Sequence, residues 1–215
     1  YALITIAIFG MWYYARYEGN FLPSPKKTFN PMMLVAIVIL VPGTQFAANF
    51  IANLTGYIRP DWLQQYNELF ETSGITDTTF VTVLYSVILA PICEELIFRG
   101  VTMRCARKAL PFALANLIQA ALFGLFHLNW IQGIYAFALG IVLGYVCERG
   151  GSIYYSIGLH LLFNLWGTLS GFFPDPGNSV VIFVIVIAVT IVSLVVGFVL
   201  FNKGRRKLPI NSTGI

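Results

Sequence analysis

Long apolar runs dominate the hydropathy pattern of the chain. Reading these runs between charged residues and Pro or Gly breaks predicts seven helices, at residues 2–14, 32–55, 78–98, 112–128, 131–147, 152–172 and 179–202. The clearest run, 180–201, has 22 residues and no charge, and about 20 residues are enough to cross the hydrocarbon core of a bilayer. Because the runs are unbroken and not alternating, they disfavour β-barrel strands. The pattern predicts an all-α, polytopic transmembrane helical bundle, with residues 1–215 forming a single transmembrane domain.

Charged residues are too scarce to cover the surface of a water-soluble domain. Hydrophobic residues make up 58% of the 215 residues and charged residues 10%, whereas a soluble domain carries about 25% charged residues. This composition excludes an ordinary soluble domain, a disordered chain and a disulfide-stapled secreted module. The net charge of +4 is explained by basic flanks of membrane helices. We therefore expect the chain to contact the lipid bilayer and not nucleic acid.

The loop cations are divided unequally between the two ends of the predicted helices. With seven alternating spans, one side carries Arg59 together with the acidic residues Asp61, Glu68, Glu71, Asp77 and Asp175. The other side carries Arg16, Lys26, Lys27, Arg104, Arg107, Lys108, Arg149, Lys203, Arg205, Arg206 and Lys207. Because Lys and Arg accumulate in cytoplasmic loops, the pattern predicts a multi-pass protein of the cell membrane with a cytoplasmic C-terminus.

Two further segments need separate interpretations. The first predicted helix is too short to span by itself and the chain begins with Tyr1, so we expect residues before Tyr1 and eight helices in the full protein. Residues 61–70 form a short amphipathic stretch, which we expect to lie on the outer membrane interface.

Ionisable side chains inside the predicted spans are costly and each needs an explanation. Helix 78–98 carries Glu94 and Glu95, with Arg99 at its end, and the only two histidines of the chain, His127 and His160, lie in two other apolar spans. Glu95 and Arg99 are spaced i,i+4, so a structural ion pair is their simplest role. Glu94 points about 100° away from Glu95 on a helix and has no opposite charge at i±3 or i±4. An unpaired carboxylate and two histidines on three helices indicate a functional site, although a lone histidine is often only an interhelical hydrogen-bond donor.

The side chains at this site suit hydrolysis. A carboxylate such as Glu94 can take a proton from water, and a neighbouring histidine can orient the water or relay the proton. The second histidine and Asn164, one turn after His160, can donate hydrogen bonds to a developing oxyanion. Glu94, His127 and His160 are also a plausible ligand set for zinc or manganese, which remains the alternative. We expect no cofactor, because the water-activating base would otherwise be consumed as a ligand.

Three motifs in these helices resemble a known family. EELIFR at residues 94–99 has the pattern EExxxR, FGLFH at 123–127 has FxxxH, and HLLFN at 160–164 has HxxxN. In this order on separate membrane helices they resemble the CPBP family, which groups type II CAAX prenyl endopeptidases with Abi and bacteriocin-processing or immunity proteins. The resemblance covers residues 78–170, the expected catalytic core.

This resemblance implies an intramembrane endopeptidase with a cavity open to the cytoplasm. By motif, Glu94 matches the water-activating glutamate and His127 its partner. His160 and Asn164 match the oxyanion-side pair, and Glu95, Arg99 and Phe123 match supporting positions. The implied substrate is a peptide or a lipidated protein, and a glutamic mechanism is favoured over a metalloprotease mechanism. A non-catalytic scaffold or bacteriocin-immunity protein of the same family is the alternative, and a proton-relaying transporter is disfavoured because no internal repeat of broken helices is visible.

Glu94 and His127 lie at different depths if their helices simply span the membrane. They meet if the helix that carries Glu94 continues past Arg99 and the following helix starts outside the membrane. We therefore predict a long helix through Arg99, with the basic turn 104–108 well outside the bilayer.

Overall fold

The computed structural model describes residues 2–15, 29–72, 79–170 and 179–205. In these ranges the chain is helical and has no strand. The helices are α1 (Ala2–Tyr13), α2 (Pro31–Ile58), α3 (Pro60–Thr72), α4 (Phe80–Arg107), α5 (Phe112–Phe126), α6 (Trp130–Gly150), α7 (Ile153–Ser170) and α8 (Val180–Arg205). The predicted all-α membrane bundle is therefore confirmed.

Four of these helices, α2, α4, α6 and α8, are long and apolar enough to cross a membrane. Helices α1 and α5 are apolar but shorter, as the sequence predicted for the first of them. All seven predicted helices are present within the described residues, with ends shifted by a few positions. The largest shift is in α4, which runs to Arg107 and so continues past Arg99, as the depth argument predicted.

The basic residues that set the predicted orientation lie partly outside the described residues. This holds for Arg16, Lys26, Lys27, Arg206 and Lys207, and also for Asp77 and Asp175. At the end of α4, Arg107 binds Glu148 of α6 at 3.1 Å, which joins two of the predicted basic ends. The cytoplasmic position of these ends stays a prediction.

The amphipathic stretch 61–70 lies within helix α3. Arg59, just before α3, donates two hydrogen bonds to the Asp61 carboxylate, at 2.9 and 2.6 Å. These hydrogen bonds hold the pKa of Asp61 below its usual value. Trp62 stacks on Trp130 at the start of α6, with ring centroids 5.2 Å apart, so α3 packs against the N-terminal end of α6.

The Ser193 side chain of α8 forms hydrogen bonds with backbone groups of α2. Pro42 interrupts α2, and next to it the Ser193 hydroxyl accepts from the Gly43 amide at 2.8 Å and donates to the Ile39 carbonyl. In a regular α-helix, that amide would donate to that carbonyl directly. Gly43 is needed here because a Cβ would lie 2.6 Å from the Ser193 oxygen.

Small residues bring α5 and α6 into close backbone contact. A Cβ on Gly124 would lie 2.5 Å from the carbonyl oxygen of Gly133, and one on Gly140 would lie 3.1 Å from Ala120. At Gly144, the space of a Cβ is taken by the side-chain amides of Asn116 and Gln119. This contact fixes α5, and with it His127, against the carbonyl groups of α6.

Helix α4 contains two π-helical segments, Tyr85–Leu89 and Leu96–Met103, separated by an α-helical turn Ala90–Glu95. Pro91 is buried at the start of that turn. Wide turns of this kind are rare and occur often at functional sites. Both glutamates of the predicted site lie in the turn between the two segments.

Candidate active site

The imidazole of His160 lies between the two adjacent glutamates. Its Nδ1 is 2.9 Å from Oε1 of Glu95, and its Nε2 is 3.6 Å from Oε2 of Glu94. His160 and Glu95 are buried, whereas the Glu94 side chain keeps 16% of its surface exposed. Of the two carboxylates, Glu94 is therefore the one that a water molecule can reach.

Glu95 is held by a buried ion pair within α4. Arg99 Nη1 donates to Glu95 Oε1 at 2.9 Å, and both side chains are fully buried. This is the i,i+4 contact that the spacing predicts. Arg99 also donates to the Gly140 carbonyl at 3.3 Å, and Gln119 donates to the same carbonyl at 2.8 Å. The ion pair thus connects α4 to both α5 and α6.

Phe123 brings the two histidines and Arg99 to one aromatic ring. The Arg99 guanidinium carbon lies 4.4 Å from the centroid of the ring, in a cation–π contact. His127 and His160 pack edge-on, with centroid distances of 5.0 and 5.7 Å. Phe123 is buried, so its ring holds a fixed position in contact with both imidazoles.

His127 is placed by the end of α5. Its Nδ1 lies 2.8 Å from the Phe123 carbonyl, one turn earlier. The helix stops directly after it, because Leu128 takes a left-handed backbone conformation with φ 54°. Asn129 then caps α6 by accepting from the Gln132 amide at 3.1 Å. His127 therefore lies at a helix end, half-buried, with its Nε2 on the side away from the carbonyl.

Asn164 contacts the backbone of α4. Its Nδ2 donates to the carbonyl of Ser86 at 2.8 Å. The side chain lies one turn after His160 on α7, so α7 contacts α4 at two levels, through His160 and through Asn164. An amide carries two N–H groups, and this bond engages one of them.

Simple hydrogen-bond chemistry fixes how the histidines are protonated at Nδ1. A backbone carbonyl accepts only, so Nδ1 of His127 donates and its Nε2 carries the lone pair in the neutral ring. The Glu95 carboxylate also accepts only while it is paired with Arg99, so Nδ1 of His160 donates to it. The carboxylates of Glu94 and Glu95 and the guanidinium of Arg99 together carry one excess negative charge. One further proton, on either Glu94 or Nε2 of His160, neutralises this charge.

Contacts within the protein engage one nitrogen of each histidine and the Glu95 carboxylate. Both Nδ1 atoms face fixed acceptors, and Glu95 is bound by Arg99. Among the described residues, no group of three His, Cys, Asp or Glu side chains is arranged to hold a metal ion. Glu94 and the Nε2 atoms of His127 and His160 are the ligand atoms of the predicted set that these contacts leave available, since a histidine that binds a metal through one nitrogen usually donates from the other.

Several contacts of the site were not predicted from the sequence. The carbonyl groups of Ser86 and Gly140 are acceptors that no side-chain motif reveals. Tyr66 of α3 forms a side-chain hydrogen bond with Tyr135 of α6. The hydrophobic pattern of the sequence does not predict this contact, because α3 and α6 are far apart along the chain.

Comparison with known proteins gives one match. Residues 76–166 match the family model described as type II CAAX prenyl endopeptidase Rce1-like. No curated protein and no solved structure matches the chain. The matched segment contains the three motifs and nearly the whole predicted core 78–170, and with four apolar helices it identifies a multi-pass membrane protein. Over residues 76–166, the chain is therefore similar to the Rce1-like type II CAAX prenyl endopeptidases.

Proposed function

We propose that the protein is a membrane-embedded endopeptidase in which Glu94 activates water for attack on a peptide bond. One observation carries this proposal, namely the position of His160 between Glu95, which is buried and paired with Arg99, and Glu94, which is partly exposed. The paired Glu95 orients the imidazole, while Glu94 stays accessible to water. The similarity of residues 76–166 to type II CAAX prenyl endopeptidases supports peptide-bond hydrolysis as the reaction.

The chemical steps use only groups of this site. A water molecule bound by Glu94 attacks the substrate carbonyl carbon, and its proton passes to the Glu94 carboxylate. The carbonyl oxygen becomes an oxyanion, which accepts hydrogen bonds from Nε2–H of His160 and from the second N–H of Asn164. The tetrahedral intermediate then collapses. The C–N bond breaks, and the proton held by Glu94 moves to the leaving nitrogen.

His127 assists at the water. Its Nδ1 is engaged by the Phe123 carbonyl, so its Nε2 is available as an acceptor for the second proton of the water. A histidine in this role orients the nucleophile, while Glu94 removes the proton. We propose that neither step uses a metal.

The proposed substrate is a peptide or a lipidated protein that reaches the site from the bilayer. In this proposal the chain lies in the cell membrane, its C-terminus is cytoplasmic, and the cavity opens to the cytoplasm. The apolar exterior of the bundle supports the membrane location.

Exchange of one carboxylate for an amide tests the proposal. Purified wild type and Glu94→Gln are assayed in lipid vesicles against a library of prenylated and unmodified peptides. We expect Glu94→Gln to lower kcat by about 100-fold or more, as expected for loss of a general base. Glu68→Gln is the matched control, because Glu68 lies on α3, is exposed, and its side chain accepts a hydrogen bond from Gln64 of the same helix. Full activity in a folded Glu94→Gln protein would overturn the role of Glu94, and a folded wild type without peptidase activity would favour a scaffold.

A further inference from the structure

One backbone carbonyl next to the site has lost its partner in the chain. In the π-helical segment Tyr85–Leu89, each carbonyl accepts from the amide five residues later, and the Ala90 amide accordingly donates to Tyr85. The next carbonyl is that of Ser86, and its partner would be residue 91. Residue 91 is a proline, which has no amide hydrogen. The Ser86 carbonyl therefore needs a donor from outside its own helix.

Asn164 supplies this donor, since its Nδ2 donates to the Ser86 carbonyl at 2.8 Å. An unpaired carbonyl is costly in the interior of a membrane protein, because no water is available to replace the bond. Pro91 is buried in α4, three residues before Glu94. The contact lies on the same helix pair as the bond between His160 and Glu95.

We propose that Asn164 is a positioning residue. It sets the direction of Glu94 by donating to the Ser86 carbonyl, which Pro91 leaves without an amide donor. This inference rests on the proposed role of Glu94. With α7 attached to α4 on both sides of Pro91, at Ser86 and at Glu95, the intervening turn has one orientation. Loss of the Asn164 bond frees that turn to rotate and moves Glu94 away from His160.

A role confined to the oxyanion makes a different prediction. In that case the bond from Asn164 to Ser86 does not contribute to activity, and supplying Ser86 with another donor does not restore kcat. The two roles are separated by returning the missing amide hydrogen to the chain with Pro91→Ala, which lets residue 91 donate to Ser86 without help from Asn164.

The experiment compares wild type, Asn164→Ala, Pro91→Ala and the double variant in lipid vesicles. Backbone hydrogen exchange of peptides that cover residues 85–95 is measured beside kcat and KM. We expect Asn164→Ala to accelerate exchange in this segment by about ten-fold or more and to lower kcat with little change in KM. The double variant is expected to recover the exchange protection and at least about ten-fold of the lost kcat. Asn164→Leu, which keeps the volume without a donor, replaces Asn164→Ala if that protein does not fold.

The outcomes distinguish this inference from the proposed function. Unchanged exchange protection in Asn164→Ala overturns the positioning role. Restored protection without recovery of kcat also overturns it and assigns Asn164 to the oxyanion alone. Hydrogen exchange requires no substrate, so a wild type without peptidase activity would count against the proposed function and leave the bond between Asn164 and Ser86 testable.

Discussion

His160 Nδ1 lies 2.9 Å from Oε1 of Glu95, and this contact directs the other nitrogen of the ring toward Glu94. The two glutamates are neighbours in sequence and both contact His160, but they differ in burial and in their pairing with Arg99. Glu95 is fully buried and paired with Arg99, whereas Glu94 keeps some exposure, and no guanidinium in the described ranges lies at hydrogen-bond distance from it. We therefore expect substitutions of the two to produce different kinds of loss.

Glu95→Gln is expected to destabilise the protein by about 3–5 kcal/mol, because it leaves the buried guanidinium of Arg99 without its counter-charge. The free energy of unfolding is measured by denaturant titration in mixed micelles. Glu148→Gln is the matched control. Its partner Arg107 is 26% exposed, and a pair of this kind contributes about 0–1 kcal/mol.

The double variant Glu95→Gln with Arg99→Met refines this test. Removing both charges leaves no unpaired ion, so we expect the double variant to be more stable than Glu95→Gln alone. If Glu95→Gln instead abolishes turnover in a protein of wild-type stability, while Glu94→Gln retains activity, the roles of the two glutamates are exchanged.

Ser193→Ala is expected to weaken the contact between α8 and α2 by about 1–3 kcal/mol. The reason is that the Ser193 hydroxyl bonds both the Gly43 amide and the Ile39 carbonyl of α2, and alanine removes both of these bonds between the helices. Thr190→Ala on the same helix is the control, because the Thr190 hydroxyl donates only to the Val186 carbonyl of its own helix. Equal effects of the two substitutions on unfolding in micelles would contradict the interpretation of Ser193 as a bridge between helices.

The sequence predicted the helices well because membrane spans require long apolar runs, whose signal is local. It also predicted the pair Glu95 and Arg99, since i,i+4 spacing is sufficient to bring these side chains together. The acceptors of Asn164 and Arg99 could not be predicted in this way. Both acceptors are backbone carbonyls. Asn164 bonds the Ser86 carbonyl, which Pro91 leaves without an amide donor, and Arg99 bonds the carbonyl of Gly140. The pattern of side chains along the sequence does not indicate which carbonyl accepts.

Gly144→Ala is expected to destabilise the α5–α6 contact by about 1–3 kcal/mol, because the new methyl group would overlap the side chains of Asn116 and Gln119. The opposite effect is expected at Gly158 on α7, where a Cβ would have nothing within 4 Å. Gly158→Ala then gains about 0.5–1 kcal/mol from helix propensity. Thermal unfolding of both variants checks the sign, and a stabilised Gly144→Ala protein would contradict the packing described here.

Removal of divalent metals is expected to leave peptidase activity unchanged. A zinc hydrolase site needs three strong protein ligands and a water molecule. The two histidines could supply two ligands through Nε2, because Nδ1 of each contacts a fixed acceptor, whereas Glu95 is held by Arg99. A third ligand would therefore have to be Glu94, and no base would then remain to activate the water.

The measurement combines activity with metal content. Wild type, His127→Ala and His160→Ala are treated with a chelator, assayed, and analysed for bound zinc by mass spectrometry. We expect all three proteins to carry the same low zinc content, and wild-type activity to persist without added metal. Because metal affinity depends on every ligand, a real site would lose zinc in both histidine variants. Stoichiometric zinc in wild type, lost in both variants, together with activity that chelation abolishes and zinc restores, would therefore assign the protein to the metalloproteases.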